Sequence, residues 1–89
     1  MPRKTYDIEI TASAARSLRK LERPAQVRIG HVIDSLATQP RPPGAVKLSG
    51  GDALYRVRIG NYRIIYSIAD NILTVLVVAI GHRREIYRR

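Results

Sequence analysis

Thr5 to Ile10 alternates in polarity, with Tyr6, Ile8 and Ile10 on one side and Thr5, Asp7 and Glu9 on the other. A period of two marks a strand buried on one face only. The period then lengthens. Ala12, Ala15, Leu18 and Leu21 recur at helical spacing while Arg16, Arg19, Lys20 and Arg23 face outward, and Thr11 or Ser13 can cap the start. Pro24 closes this helix and also suits the first turn of a second one. There Val27 or Ile29, Val32, Ile33 and Leu36 form a new apolar stripe that ends before Pro40. The pattern predicts a helical hairpin.

Residues 40–52 read PRPPGAVKLSGGD, a run of turn formers that cannot continue a helix and predicts a loop. Two strands follow, Leu54 to Ile59 and Tyr62 to Ile68, joined by Gly60-Asn61, residues that accept the positive φ of a tight hairpin. After a turn at Ala69-Asp70-Asn71, the stretch Ile72 to Ile80 is apolar on both faces and is expected as a central, covered strand. Gly81 ends it, and His82 to Arg89 forms a short basic segment. The order β-α-α-β-β-β predicts an α+β fold: an N-terminal strand, a helical hairpin and a three-stranded antiparallel meander, with the helices on one face of the sheet. The other face is then open for function. No internal repeat interrupts the chain, and 89 residues suit a single domain spanning 1–89.

Composition narrows the function classes. With 45% hydrophobic and 26% charged residues the chain can bury a core of its own. It has no cysteine, which excludes thiolate chemistry, cysteine-ligated zinc and disulfide staples. The run Ile72 to Ile80 is far shorter than the roughly 20 residues of a membrane helix, so no membrane partner is expected. Met1-Pro2-Arg3-Lys4 is basic but leads into no signal-type apolar segment, which makes a cytoplasmic location the expectation. Charge is the first positive clue. Sixteen Lys and Arg against seven Asp and Glu give a formal net charge of +9, a surface that attracts polyanions.

Strand periodicity places part of that charge. In Leu54-Tyr55-Arg56-Val57-Arg58-Ile59, Arg56 and Arg58 share one face, opposite Tyr55, Val57 and Ile59. Arg63 joins them across the hairpin, because Tyr62, Ile64 and Tyr66 have the parity of the core side. Arg83 and Arg84 follow where the last strand runs out, and could reach the same edge with His82 and Tyr87. Clustered guanidinium groups repel one another unless an anion binds, and their forks match phosphate oxygens, while tyrosine can stack on bases. The plainer reading is a solvated sheet face dotted with arginine. His31, in mid-helix, has nothing placed to tune it and reads as structural. His82, beside arginines that favour its neutral form, is a candidate proton acceptor.

At this point the chain resembles the RelE/ParE toxin superfamily over most of its length. The resemblance rests on Lys47-Leu48-Ser49-Gly50, Leu54-Tyr55-Arg56-Val57-Arg58, Asn61-Tyr62-Arg63-Ile64-Ile65-Tyr66 and Ile80-Gly81-His82-Arg83-Arg84-Glu85-Ile86-Tyr87, in this order and spacing. It implies a RelE-type toxin that enters the ribosomal decoding site and cleaves mRNA there, and a cognate antitoxin that wraps and silences it. Arg56 and Arg58 stand where the family carries basic residues, often lysines. Arg63 matches the arginine of the tyrosine-arginine pair, Arg83 the arginine after the strand-ending glycine, and Tyr87 the C-terminal tyrosine. His82 falls at a position that is basic in some relatives and histidine in others.

The implied chemistry needs neither a metal nor another cofactor: the substrate's own 2′-hydroxyl attacks the adjacent phosphorus and expels a 5′-hydroxyl. The protein must align the oxygens, stabilise phosphorane charge and move two protons. Arg56, Arg58, Arg63 and Arg83 suit the first two tasks, and Lys47 and Arg84 suit RNA binding. Arginine, with a pKa above about 12, is a poor proton carrier at neutral pH, so a lysine mechanism does not transfer, and Tyr87 and His82 remain as base or acid. Two other functions fit the same scaffold: a ParE-like inhibitor of DNA gyrase, and a non-catalytic RNA-binding module.

Overall fold

Thr11 marks the point where the chain changes period. Its backbone is extended, and its hydroxyl accepts a hydrogen bond from the Ala14 N–H at 3.1 Å, capping the first helix. The same hydroxyl donates to the Val78 carbonyl at 3.4 Å, which ties the helix start to the sheet. In the computed structural model, which describes residues 5–48 and 53–82, the elements run β1 (Asp7–Ile10), α1 (Ala12–Arg19), α2 (Arg23–Ser35), β2 (Val46–Lys47), β3 (Leu54–Ile59), β4 (Tyr62–Ala69) and β5 (Thr74–His82).

Helix α1 turns Ala14 fully into the core, with Leu18 and Leu21 packed beside it. Leu18 and Leu21 pack as expected, but the buried alanine is Ala14, four residues before Leu18, while Ala12 is exposed and Ala15 half-buried. Pro24 sits in the first turn of α2, where its missing N–H costs nothing. Of the two candidates for the start of the α2 stripe, Ile29 is buried and Val27 is exposed. The Gln26 side chain donates to the carbonyls of Arg19 (3.1 Å) and Leu21 (2.8 Å), which fastens the α1–α2 turn onto α2.

The sheet has five strands in the order β1-β5-β4-β3-β2, with β1 parallel to β5 and every other pair antiparallel. Two expectations need adjusting. The segment read as a loop contains β2, which pairs Val46 with Arg56 and Lys47 with Tyr55; an edge strand of two residues is too short to show a period. The last strand begins at Thr74, because Ile72 and Leu73 belong to the turn, and it is interior while β4 is the middle strand. Its two-sided apolar pattern has a local cause. The β4–β5 register passes from Ile65↔Ala79 to Tyr66↔Val77, so Val78 is an extra residue in a bulge. That insertion shifts the parity and lets Val75, Val77 and Ile80 all turn toward the helices and be buried.

A polar knot closes the sheet end where β4 finishes. Arg41 reaches Asp70 at 2.8 Å and donates to the Tyr55 hydroxyl at 3.1 Å, and the Tyr6 hydroxyl also donates to Asp70. Tyr66, fully buried, stacks on Tyr55 and donates to the Pro40 carbonyl at 2.8 Å. These bonds hold the loop around 40–41 against the helix side of the sheet and leave the opposite face clear of it.

Candidate nucleic-acid interface

The site is built outward from the β3–β4 turn. Gly60 has φ +60°, whereas Asn61 is not left-handed, so the turn uses the positive φ at its first central position only, as in a type II′ hairpin. Ile59 and Tyr62 then close the hairpin, Arg58 falls opposite Arg63, Val57 opposite Ile64 and Arg56 opposite Ile65. Val57, Ile59 and Ile64 are buried toward the helices, which sends Arg56, Arg58 and Arg63 together to the other face.

The three differ in environment. Arg58 is exposed, Arg56 is half-buried, and Arg63 is only 4% exposed, flanked on β5 by Gly81. Arg56 and Arg63 are both engaged by other groups of the chain. The register also polarises this face. Asp7 and Glu9 share it at the β1 edge, alongside Thr74 and Leu76, while the arginines occupy the end nearest the β3–β4 turn. An anion is therefore drawn to one end of the face and repelled from the other.

His82, expected at the same edge, and Lys47, expected to bind RNA, both lie on the other side of the sheet. His82 pairs with Tyr62 and packs edge-on against its ring at 5.7 Å, which puts it on the helix side of the sheet, across from Arg63. Lys47 pairs with Tyr55 and is exposed on that side too, while Val46 is the β2 residue beside Arg56. Arg83, Arg84 and Tyr87 lie outside the described residues. Among the described residues, no three His, Asp or Glu side chains gather as a metal site, and no helix is long and apolar enough to cross a membrane.

Arg28 is near this end, a placement the sequence does not predict. A Cβ placed on Gly60 would lie 2.9 Å from its Nη2, so the guanidinium of this α2 residue rests on the hairpin turn. No periodic pattern signals this, because the approach is made between distant parts of the chain.

Fold and site together describe a small α+β domain with three arginines gathered on the sheet face opposite the helices. Residues 8–87 match the family of the ParE toxin of type II toxin-antitoxin system, parDE. Toxin RelE of Mycobacterium tuberculosis is 33% identical over 84 residues, covering 93% of this chain and 87% of that protein. Toxin RelG of the same organism is 31% identical, covering 94% and 98%. Among solved structures, the archaeal RelE–RelB complex from Pyrococcus horikoshii superposes with a TM-score of 0.80 at 31% identity, covering 89% of this chain and 96% of that one. The RelBE2 toxin–antitoxin complex from Mycobacterium tuberculosis gives 0.79 at 27% identity, covering 89% and 92%. The chain belongs to the RelE/ParE superfamily and is a toxin of a type II toxin–antitoxin system.

Proposed function

We propose that this toxin is a ribosome-dependent endoribonuclease that cleaves mRNA by attack of a 2′-hydroxyl on the scissile phosphate, without a metal or other cofactor. The observation that supports the reading is the convergence of Arg56, Arg58 and Arg63 on the sheet face opposite the helices, beside the β3–β4 turn, with Arg58 exposed. A phosphodiester lodged there meets guanidinium forks that stay charged through the whole neutral range. They align the phosphate and stabilise the extra charge that develops as the 2′-oxygen attacks. Arg83, two residues after Gly81 in the sequence, is assigned to the same task, and Lys47 and Arg84 to binding the RNA backbone. Proton transfer falls to Tyr87 and His82. Since His82 faces the helix side, Tyr87 is the better candidate base in the free toxin. The partner that silences it is a cognate antitoxin, as RelB is seen with RelE in the related complexes.

The test is to induce the chain in translating cells and map transcript ends. New 5′-hydroxyl ends within coding sequence are expected, and Arg58→Ala should reduce them strongly. Growth arrest with no such ends sinks the proposal.

A second reading is supported by the family match itself, whose description is that of ParE. On this reading the same basic face binds DNA gyrase and no bond is cut. Supercoiling by purified gyrase, measured with and without the toxin, separates the two.

A further inference from the structure

The chain packs a second group of cations against the end of the sheet that holds the arginine face. Ala37, just past α2, accepts from the Tyr6 N–H at 2.7 Å, which fixes that helix end beside the start of β1. Helix α2 has 13 residues and so spans about 20 Å, which carries its N-terminus to the opposite end, where the β3–β4 turn lies. Arg28 on the Gly60 turn fixes this placement. The α1–α2 turn therefore stands over the hairpin tip, and with it Arg19, Lys20 and Arg23, all exposed.

Acids are sparse around these cations in sequence. Glu22 is the only acid between Arg16 and Arg28, and the ion pair Arg41–Asp70 is at the far end of the sheet. Arg23 opens α2, where the helix dipole is already positive, and the first turn of α2 contains no acid. Gln26 pins this turn through two carbonyls, so its charges are displayed on a fixed frame. A series of cations thus leads from Arg58 and Arg63 on the sheet face, by way of Arg28 at the turn, to Arg23 and Lys20 on the helix side, with Glu22 as the one acid in the α1–α2 turn.

We propose that this helix-side group is a second RNA-backbone contact surface, with Arg28 as its link to the arginine face. A strand whose scissile phosphate sits at Arg58 and Arg63 would continue around the hairpin tip and be held on both sides of it. The inference rests on the reading of this chain as an RNA-directed toxin. Of the four large apolar residues exposed among the described residues, Val27 alone lies within this surface and Ile10, Val46 and Ile72 lie elsewhere; one valine among Arg19, Lys20, Arg23 and Arg28 does not make the apolar centre that a protein interface would want, which favours nucleic acid.

The test uses the full chain and a short single-stranded RNA carrying 2′-O-methyl groups throughout, which cannot be cut by its own hydroxyl. Affinity is measured by fluorescence anisotropy across a salt series. The double variant Arg23→Ala/Arg28→Ala should lower the slope of log affinity against log salt by about 1.4, at about 0.7 for each phosphate that is no longer neutralised. Arg23→Lys/Arg28→Lys should restore most of it, which a merely misfolded variant would not. If the slope is unchanged while Arg58→Ala lowers it, the second surface does not exist and the cleavage reading stands. Loss of antitoxin binding with an unchanged RNA slope also overturns the inference, assigning the surface to protein. Failure of the wild-type chain to produce new transcript ends would instead strike the cleavage reading, because the slope is measured without any cleavage.

Discussion

Arg58 and Arg63 stand directly opposite each other across the β3–β4 hairpin, Arg58 exposed and Arg63 only 4% exposed. Because Ile59 and Tyr62 close a two-residue turn, the alternation of antiparallel pairs makes the arginines a non-hydrogen-bonded pair, the geometry in which side chains lie closest. Like charges facing each other in this way weaken a sheet. Arg63 is also engaged by other groups of the chain, so the repulsion that remains is relieved most simply at Arg58, the exposed member of the pair. Arg58→Gln should stabilise the free toxin by roughly 0.2–1 kcal/mol at low ionic strength while reducing its toxicity. The gain should shrink in added salt, because Arg58 is solvated. Urea unfolding at two salt concentrations checks this; a variant less stable than the parent at low salt would contradict it.

Gly60 and Arg28 offer a separable pair of effects. Gly60→Ala places a side chain at φ +60°, costing roughly 1 kcal/mol whatever surrounds it, and also brings that Cβ within 2.9 Å of Arg28 Nη2. The first cost is local to the backbone and the second depends on the guanidinium. In an Arg28→Ala background, Gly60→Ala should therefore lose only its backbone part. A double-mutant cycle on unfolding free energy measures the difference as a coupling between the two sites. Zero coupling would mean that the long arginine side chain moves aside freely and is not held over the turn.

Most of the fold was legible because long elements repeat their periods: β1, both helices and the β3–β4 hairpin follow directly from alternation, helical spacing, Pro24 and Gly60. The arginine face followed as well, since strand parity decides it. What stayed hidden depends on pairing. A bulge at Val78 adds one residue that no pattern announces, and β2 has no period at all. The side taken by Lys47 depends on that unannounced strand. His82 could have been placed correctly, because it shares the parity of buried Ile80 beyond the bulge; its nearness in sequence to arginine suggested the wrong face. Arg28 reaches the site only through the packing of α2 on β3, which local sequence does not encode.

Thr11 joins two devices in one hydroxyl, accepting from Ala14 N–H at 3.1 Å and donating to the Val78 carbonyl at the bulge at 3.4 Å. Thr11→Ala should cost about 1–2 kcal/mol, the usual range for a lost helix cap. Thr11→Ser, which keeps the oxygen, should cost much less. Since Thr11 carries no charge and is not among the basic residues of either surface, RNA affinity per folded molecule should not change in either variant. Thermal unfolding read beside anisotropy would show this, and a selective loss of RNA binding in the alanine variant would mean that the bulge positions the site.

The alkaline limit of stability should be set by buried tyrosines. The hydrogen bond to Asp70, followed by burial, raises the Tyr6 pKa above the ordinary tyrosine value, and burial, followed by the neighbouring Tyr55, raises that of Tyr66. A raised pKa means that the fold prefers the neutral phenol. Their contribution is fully present below the unfolded value of about 10 and is lost as pH climbs from there through the folded values. Unfolding free energy should be insensitive to these groups at neutral pH and fall beyond pH 10. Tyr66→Phe removes the donor to the Pro40 carbonyl and should cost about 1 kcal/mol near neutrality, yet flatten the alkaline decline because no phenol is left to ionise there. Urea midpoints followed from neutral to strongly alkaline pH decide the matter. An equally steep fall in Tyr66→Phe would place the titrating groups elsewhere.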